Sequence, residues 1–209
     1  MKIYLVLSFC LFGLYLSAQR TYSSINRLGI GADATFLQLE SDQVNIESET
    51  GFAGYLETRG DFNRYFDMVY SVGIFNHKFN VEEFQSTETI DMSVIGAEVK
   101  LLLAWRVFGS PYFTIEAGPA VMVNGEFKID DSDLSRFVGT TDPILVSEFE
   151  KTNPININAV GGFSAGINNV RITAHYHYAF LDSLDSQTVS GSDVDGKLSY
   201  VSAGLRLYF

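Results

Sequence analysis

The chain has 209 residues and a formal net charge of −11. That sign argues against nucleic acid as a partner, and the length suits one ordinary domain. After residue 18 no apolar run reaches the roughly 18–20 residues of a membrane-crossing helix, which excludes a helical membrane protein. The composition is 14% aromatic with 18 glycines and only 4 prolines, as curving strands require.

Residues 1–18 read as a signal peptide. Lys2 supplies the charged start, 3–16 are apolar, and Ser17 and Ala18 are small. Cleavage is expected after Ala18 and removes Cys10, the single cysteine. Bulky Phe9 in front of Cys10 argues against lipidation. The remainder then has no disulfide, thiol nucleophile or cysteine metal site. Residues 19–27 form a polar lead, assigned to the periplasm, and 28–209 form the barrel described next.

From there the pattern has period two, as strands do. The first strand, 28–39, puts Ile30, Ala32, Ala34 and Phe36 on one face, with Asp33 and Thr35 on the other. An acidic loop follows at 41–50. The second strand, 51–59, turns Phe52 and Leu56 out and Tyr55, Glu57 and Arg59 in. After a short turn at 60–64, the third strand spans 65–78. Phe66, Met68, Tyr70, Val72 and Ile74 face out; Asp67, Ser71, Phe75 and His77 face in. A second acidic loop is expected over 79–90. The fourth strand shows Ile95 to Val107 in odd steps on one face, and Glu98, Lys100, Leu102 and Arg106 on the other. Gly109, Ser110 and Pro111 predict a tight turn.

The fifth strand, 112–123, turns Phe113, Ile115 and Val121 out and Thr114 and Glu116 in. Residues 124–153 read as the longest and most charged loop. The sixth strand, 154–167, ends in a tight turn at Asn168 and Asn169. The seventh sends Ile172, Tyr176, Tyr178 and Phe180 out and Arg171, His175 and His177 in. A loop at 182–196 leads to the closing strand, 198–209. There Val201, Ala203, Leu205, Leu207 and Phe209 alternate with Tyr200, Arg206 and Tyr208.

Eight strands with connections alternately long and short predict an all-β fold: an eight-stranded antiparallel up-and-down transmembrane β-barrel, long loops extracellular and short turns periplasmic. Only a closed barrel of strands satisfies every backbone group inside a bilayer. The outward aromatics sort accordingly. Phe66, Trp105, Phe113 and Phe209 lie by short turns or the terminus. Phe36, Phe52, Tyr178 and Phe180 lie by long loops. These are expected to be two lipid-facing girdles.

The run VIGAEVKLLLAWRVFGSPYFTIEAGPAVMVN, 94–124, resembles a hairpin of the outer-membrane β-barrel ("porin family") proteins of Gram-negative bacteria, which include PorT-like and OmpA-type barrels. AHYHYAFLDSL, 174–184, resembles their penultimate strand. LRLYF resembles the terminal signal read by the barrel-insertion machinery. The resemblance covers nearly all of the chain past the signal. It implies an outer-membrane location, with lipid and lipopolysaccharide as surroundings, and no particular reaction.

The inward ions are the main candidate site. Acids Asp33, Glu57, Asp67, Glu98 and Glu116 are balanced by Arg59, Lys100, Arg106, Arg171 and Arg206. An eight-stranded barrel is just wide enough for side chains to fill, and unpaired ions there are costly. A salt-bridged plug is favoured over a gate for ions. Strand adjacency suggests Lys100 with Glu116 and Arg206 with Asp33. His175 and His177 have a spacing that can share a metal, but His77 should lie on the far wall near the rim, so no metal or other cofactor is expected. The four long loops with their flanks, 38–50, 77–91, 124–153 and 182–197, hold 19 acids against 5 bases. That excess solvates the loops. Asp193-x-Asp195-Gly196 and Asp130-Asp131-x-Asp133 only faintly resemble calcium loops.

The expected role is non-enzymatic: a membrane-embedded scaffold presenting acidic loops, with any protein partner unnamed. The alternative is a narrow solute or ion pore gated by the lumen ions. A lipid-modifying enzyme ranks third, because it needs serine, histidine and acid together near the outer leaflet, and here the histidines face inward.

Overall fold

The structure, a computed structural model, describes residues 26–40, 46–139, 143–147, 153–167, 169–181, 188–189, 192–193 and 197–209. The signal peptide at 1–18 lies outside the described residues, as do Asn168 and most of the loop at 182–196. Among the described residues no helix is long and apolar enough to cross a membrane, which says nothing of strands.

Eight long strands form one closed antiparallel barrel. We number these staves β1 (Asn26–Glu40), β2 (Thr50–Asp61), β3 (Phe66–Glu82), β4 (Thr89–Arg106), β5 (Phe113–Ile129), β6 (Ile155–Gly166), β7 (Val170–Ala179) and β8 (Lys197–Tyr208). Each pairs with the next in sequence. The ring closes where β1 meets β8, with Ile30 opposite Leu207 and Phe36 opposite Val201. Closure leaves no sheet edge exposed along the staves.

The alternation decides which way each residue faces. On β4, even-numbered side chains from Ile90 to Ala104 point inward and odd-numbered ones outward. The interior therefore holds Glu98 and Lys100 while the exterior shows Val99, Leu101, Leu103 and Trp105. The inverted burial, apolar outside and ionic inside, holds around the ring: Leu56, Ile74, Ile115, Ile172 and Leu205 are exposed, whereas Asp33, Glu57, Glu116 and Arg206 are buried.

The staves run further than the alternation suggested at one end. Half of the acidic segment expected over 79–90 is strand: β3 continues to Glu82 and β4 starts at Thr89. Phe79, Val81 and Ile90 point inward and are buried. Their neighbours are polar or charged, which masked the apolar half of the pattern. A short strand, Ile46–Ser48, also lies in the first acidic segment and pairs with β3.

β5 likewise continues past Val123, to Ile129. Its pairing with β4 shifts between Val94 and Gly96: Val94 faces Phe127 while Gly96 faces Asn124. Gly125 and Glu126 thus share the place opposite Ile95, a β-bulge. Both are exposed, and Phe127 returns to the inside. One extra residue had ended the period-two signal at Asn124.

The segment expected to be the longest loop folds over the barrel mouth. Phe137–Val138 pairs antiparallel with Ile144–Leu145. Val138 bridges to Glu83, and the Phe84 N–H donates to the Phe137 carbonyl at 2.8 Å. At the opposite end the β4–β5 connection turns earlier than Gly109–Pro111. The Ser110 N–H donates to the Val107 carbonyl at 3.0 Å, and φ is positive at both Phe108 (54°) and Gly109 (71°). Glycine tolerates this; a phenylalanine there costs roughly 1–2 kcal/mol. The expected polar lead gives way to strand at Asn26.

Candidate functional site

The lumen is filled in layers. Near the short turns, Arg106 reaches both Asp61 and Asp67. Arg59 Nε donates to Asp67 at 3.0 Å, its Nη1 to Glu116 at 2.9 Å and its Nη2 to Thr114 at 3.0 Å. The guanidinium thereby crosses from β2 to β5. Glu116 also accepts from the Thr114 hydroxyl at 2.9 Å, and its other oxygen lies 2.9 Å from His175 Nε2. A fork of donors at fixed angles suits arginine and would not suit lysine.

On the facing wall Arg206 clamps Asp33 through two nitrogens, one at 2.9 Å, and donates from Nε to Glu57 at 3.1 Å. The Tyr208 hydroxyl donates to the other Glu57 oxygen. The Arg206 guanidinium sits 4.9 Å from the centre of the Tyr55 ring, and Lys100 Nζ sits 3.7 Å from it. These cation–π contacts gain from the dry surroundings.

Lys100 does not meet Glu116. Its ammonium is 3.4 Å from Glu98 on its own strand. The register explains the difference: Glu116 lies opposite Ala104 and Lys100 opposite Ala120, four residues apart along the stave. Glu116 is instead taken by Arg59 from across the lumen. Glu98 accepts from the Tyr200 hydroxyl at 2.6 Å and lies 3.1 Å from His177 Nδ1. Arg171 also departs from the ionic pairing expected of it. It donates to Ser164 Oγ at 2.8 Å and to the Pro111 carbonyl at 2.7 Å, so neutral oxygens satisfy it.

The three histidines are all buried inside. His77 is less remote than expected, because Tyr200 bridges the wall. The Tyr200 ring stacks on His177 at 3.9 Å and meets His77 at 4.5 Å; Phe75 stacks on His77 at 4.4 Å. Thr35 Oγ1 is 2.9 Å from His77 Nδ1. The rings are thus engaged by aromatics, Glu98, Glu116, Ser202 and Thr35. Among the described residues no three metal-ligating side chains cluster.

Above this column the interior turns apolar. Leu37, Phe79, Val81, Ile90, Met92 and Phe127 form one buried cluster, which Val138, Ile144 and Val146 of the folded-over segment complete. Phe79 and Phe127 meet edge to face at 5.3 Å. The cap is latched from outside. Arg136 donates to Glu83 at 2.9 and 2.6 Å, to Glu88 at 2.7 Å and to Asp133 at 3.2 Å. The Arg136 hydrogen bonds hold the Glu83 carboxyl below its usual range, and Glu83 in turn raises Arg136. Asp133, one member of the faint calcium pattern, is therefore committed to Arg136. Asp130 accepts from Ser132. Asp195 and Gly196 of the other pattern lie outside the described residues.

Sequence reasoning missed Tyr55, Tyr200, Tyr208 and Thr114 as partners of the ions. Their inward parity was readable, but which ion each meets depends on stave tilt. It also missed the apolar seal. The outward aromatics Phe36, Phe52, Trp105, Phe113, Tyr178, Phe180 and Phe209 are exposed, and Phe66 is half-buried opposite Trp105. Phe113 packs against Phe163 at 6.1 Å, and Tyr178 against Phe180 at 5.7 Å.

No protein-family model matches the chain, and no curated protein does. Solved structures do match it in shape. Neisserial surface protein A superposes with a TM-score of 0.55 at 16% identity, over 87% of this chain and 97% of that one. Ail, the attachment invasion locus protein of Yersinia pestis, gives 0.48 at 17% identity, over 88% and 97%. The outer membrane protein OprG of Pseudomonas aeruginosa gives 0.45 at 14% identity, over 88% and 95%. The likeness to Neisserial surface protein A is one of fold: both are closed β-barrels of matching extent.

Proposed function

We propose that the protein is a non-enzymatic scaffold of the bacterial outer membrane, a closed barrel that holds acidic loops at the cell surface. Support for the location comes from the barrel's outer face. A soluble monomer's largest apolar patch covers about 300–600 Å². Here a belt of leucine, isoleucine, valine and aromatic side chains is exposed on every stave. Lipid tails are the surroundings in which such a belt is stable. The aromatic groups at its two rims fit the two membrane interfaces, with lipopolysaccharide at the long-loop side.

The observation that carries the scaffold reading over a pore is the double closure of the lumen. Arg59 spans the interior near one end, and the cluster of Phe79, Phe127, Val138 and Val146 fills the other. A conducting path would need both to open. An ion would meet an apolar barrier after leaving the charged layer, with no polar atoms to replace its water. Planar-bilayer recording of the reconstituted protein tests this. The expected result is no stable conductance step. A reproducible step that Lys100→Met alters would establish the gated pore instead.

A further inference from the structure

The short-turn end carries an exposed aromatic cluster that the scaffold role leaves unexplained. Phe108 is 98% exposed at the tip of the β4–β5 turn. Phe62, Tyr65, Tyr112 and Ile167 are exposed on the same end of the barrel. The turns are tied together. The Arg106 N–H donates to the Tyr65 carbonyl at 2.7 Å, and the Gly166 N–H to the Tyr112 carbonyl at 2.8 Å. The cluster continues directly into the apolar belt, because Phe66 lies opposite Trp105 and Phe113 packs on Phe163.

Charge at this end is opposite to that of the long loops. The short turns 62–65, 107–112 and 167–169 contain no acid in their sequence, and Asp61 at the end of β2 is neutralised by Arg106. Arg64 is exposed, with its guanidinium 5.6 Å from the Tyr65 ring centre. Phe108 occupies a left-handed position where asparagine or glycine would be at ease. A bulky ring held there, with no described residue covering it, is open to a surface beyond the barrel end.

We propose that these turns dip into the headgroup layer of the inner, phospholipid leaflet, with Phe108 as the wedge and Arg64 selecting anionic headgroups. This rests on the membrane reading above. Aromatic side chains are stable at that depth because their faces meet acyl carbon and their edges meet water. An arginine there engages phosphate through paired N–H donors. The protein is thereby held at a fixed depth, so that its acidic loops stand clear of the opposite face.

The test uses the full chain with Cys10→Ser and a fluorophore on Ser110→Cys, in phosphatidylcholine vesicles with or without phosphatidylglycerol. Trp105, the single tryptophan, reports insertion through quenching by acyl-chain nitroxides. Headgroup nitroxide should quench the label at position 110 more than aqueous iodide does. Phe108→Asn keeps the turn's backbone and should reverse that order. Arg64→Gln should abolish only the gain seen with phosphatidylglycerol. If Trp105 is quenched by lipid while iodide reaches the label equally in the parent and in Phe108→Asn, the wedge is refuted and a periplasmic protein becomes the candidate cover. If Trp105 itself is not quenched, the membrane reading falls and the wedge with it.

Discussion

Arg206 shows what a single residue does in this interior. It is fully buried and satisfies two carboxylates, Asp33 and Glu57, at once. Removing one partner of a buried ionic set strands the others, at about 3–5 kcal/mol. Arg206→Met is therefore expected to lower unfolding stability in detergent by that amount, read as the denaturant midpoint of the heat-modifiable band. Arg59 and Glu116 should be energetically coupled, since they touch directly. A double-mutant cycle of Arg59→Met and Glu116→Gln is expected to give a coupling of about 0.5–3 kcal/mol, whereas additivity would mean their contact is idle. At this scale, sequence parity identified which ions face inward. It paired Arg206 with Asp33 correctly and Lys100 with Glu116 wrongly. Parity fixes the face of a side chain; its partner depends on how far neighbouring staves slide past each other, and on cross-lumen reach such as that of Arg59.

Elements decide how the long-loop end is sealed. The bulge at Gly125 and Glu126 keeps Phe127 inside after a break in alternation. Deleting Gly125 leaves Asn124 and Phe127 two steps apart and on the same face. That deletion should be tolerated, while Phe127→Ala should cost about 3–5 kcal/mol. Loss of folding on deleting Gly125 would contradict the bulge assignment. The cap is held by ionic contacts of Arg136, which are sensitive to acid. Glu83 has a depressed folded-state pKa, so its contribution is present above the ordinary carboxyl range and is lost as pH falls through the folded value. The protection of the Val138 amide, its exchange rate compared with that of an unstructured chain at the same pH, should fall on acidification below the ordinary glutamate range, and Arg136→Gln should show that fall at neutral pH already. Unchanged protection in both would mean the apolar cluster alone holds the cap. These elements were hard to read because polar and charged residues outnumber apolar ones over 79–90 and 124–153. Alternation there survives only in short stretches, and the bulge breaks the count.

For the molecule as a whole, the outline was legible because a membrane barrel repeats one simple rule along its whole length. Eight alternating runs with connections of alternating length leave little freedom in topology, and the closed ring follows it. The task of the protein was not legible in the same way, since loops and lumen contents are free to vary on a fixed outline. The account depends on apolar side chains facing lipid around the full circumference. The most direct measurement follows strand content by circular dichroism as the unfolded protein is diluted into buffer or into lipid vesicles. Stave formation and a heat-modifiable compact band are expected only with vesicles or detergent present. A monodisperse, fully folded protein in plain buffer would contradict it.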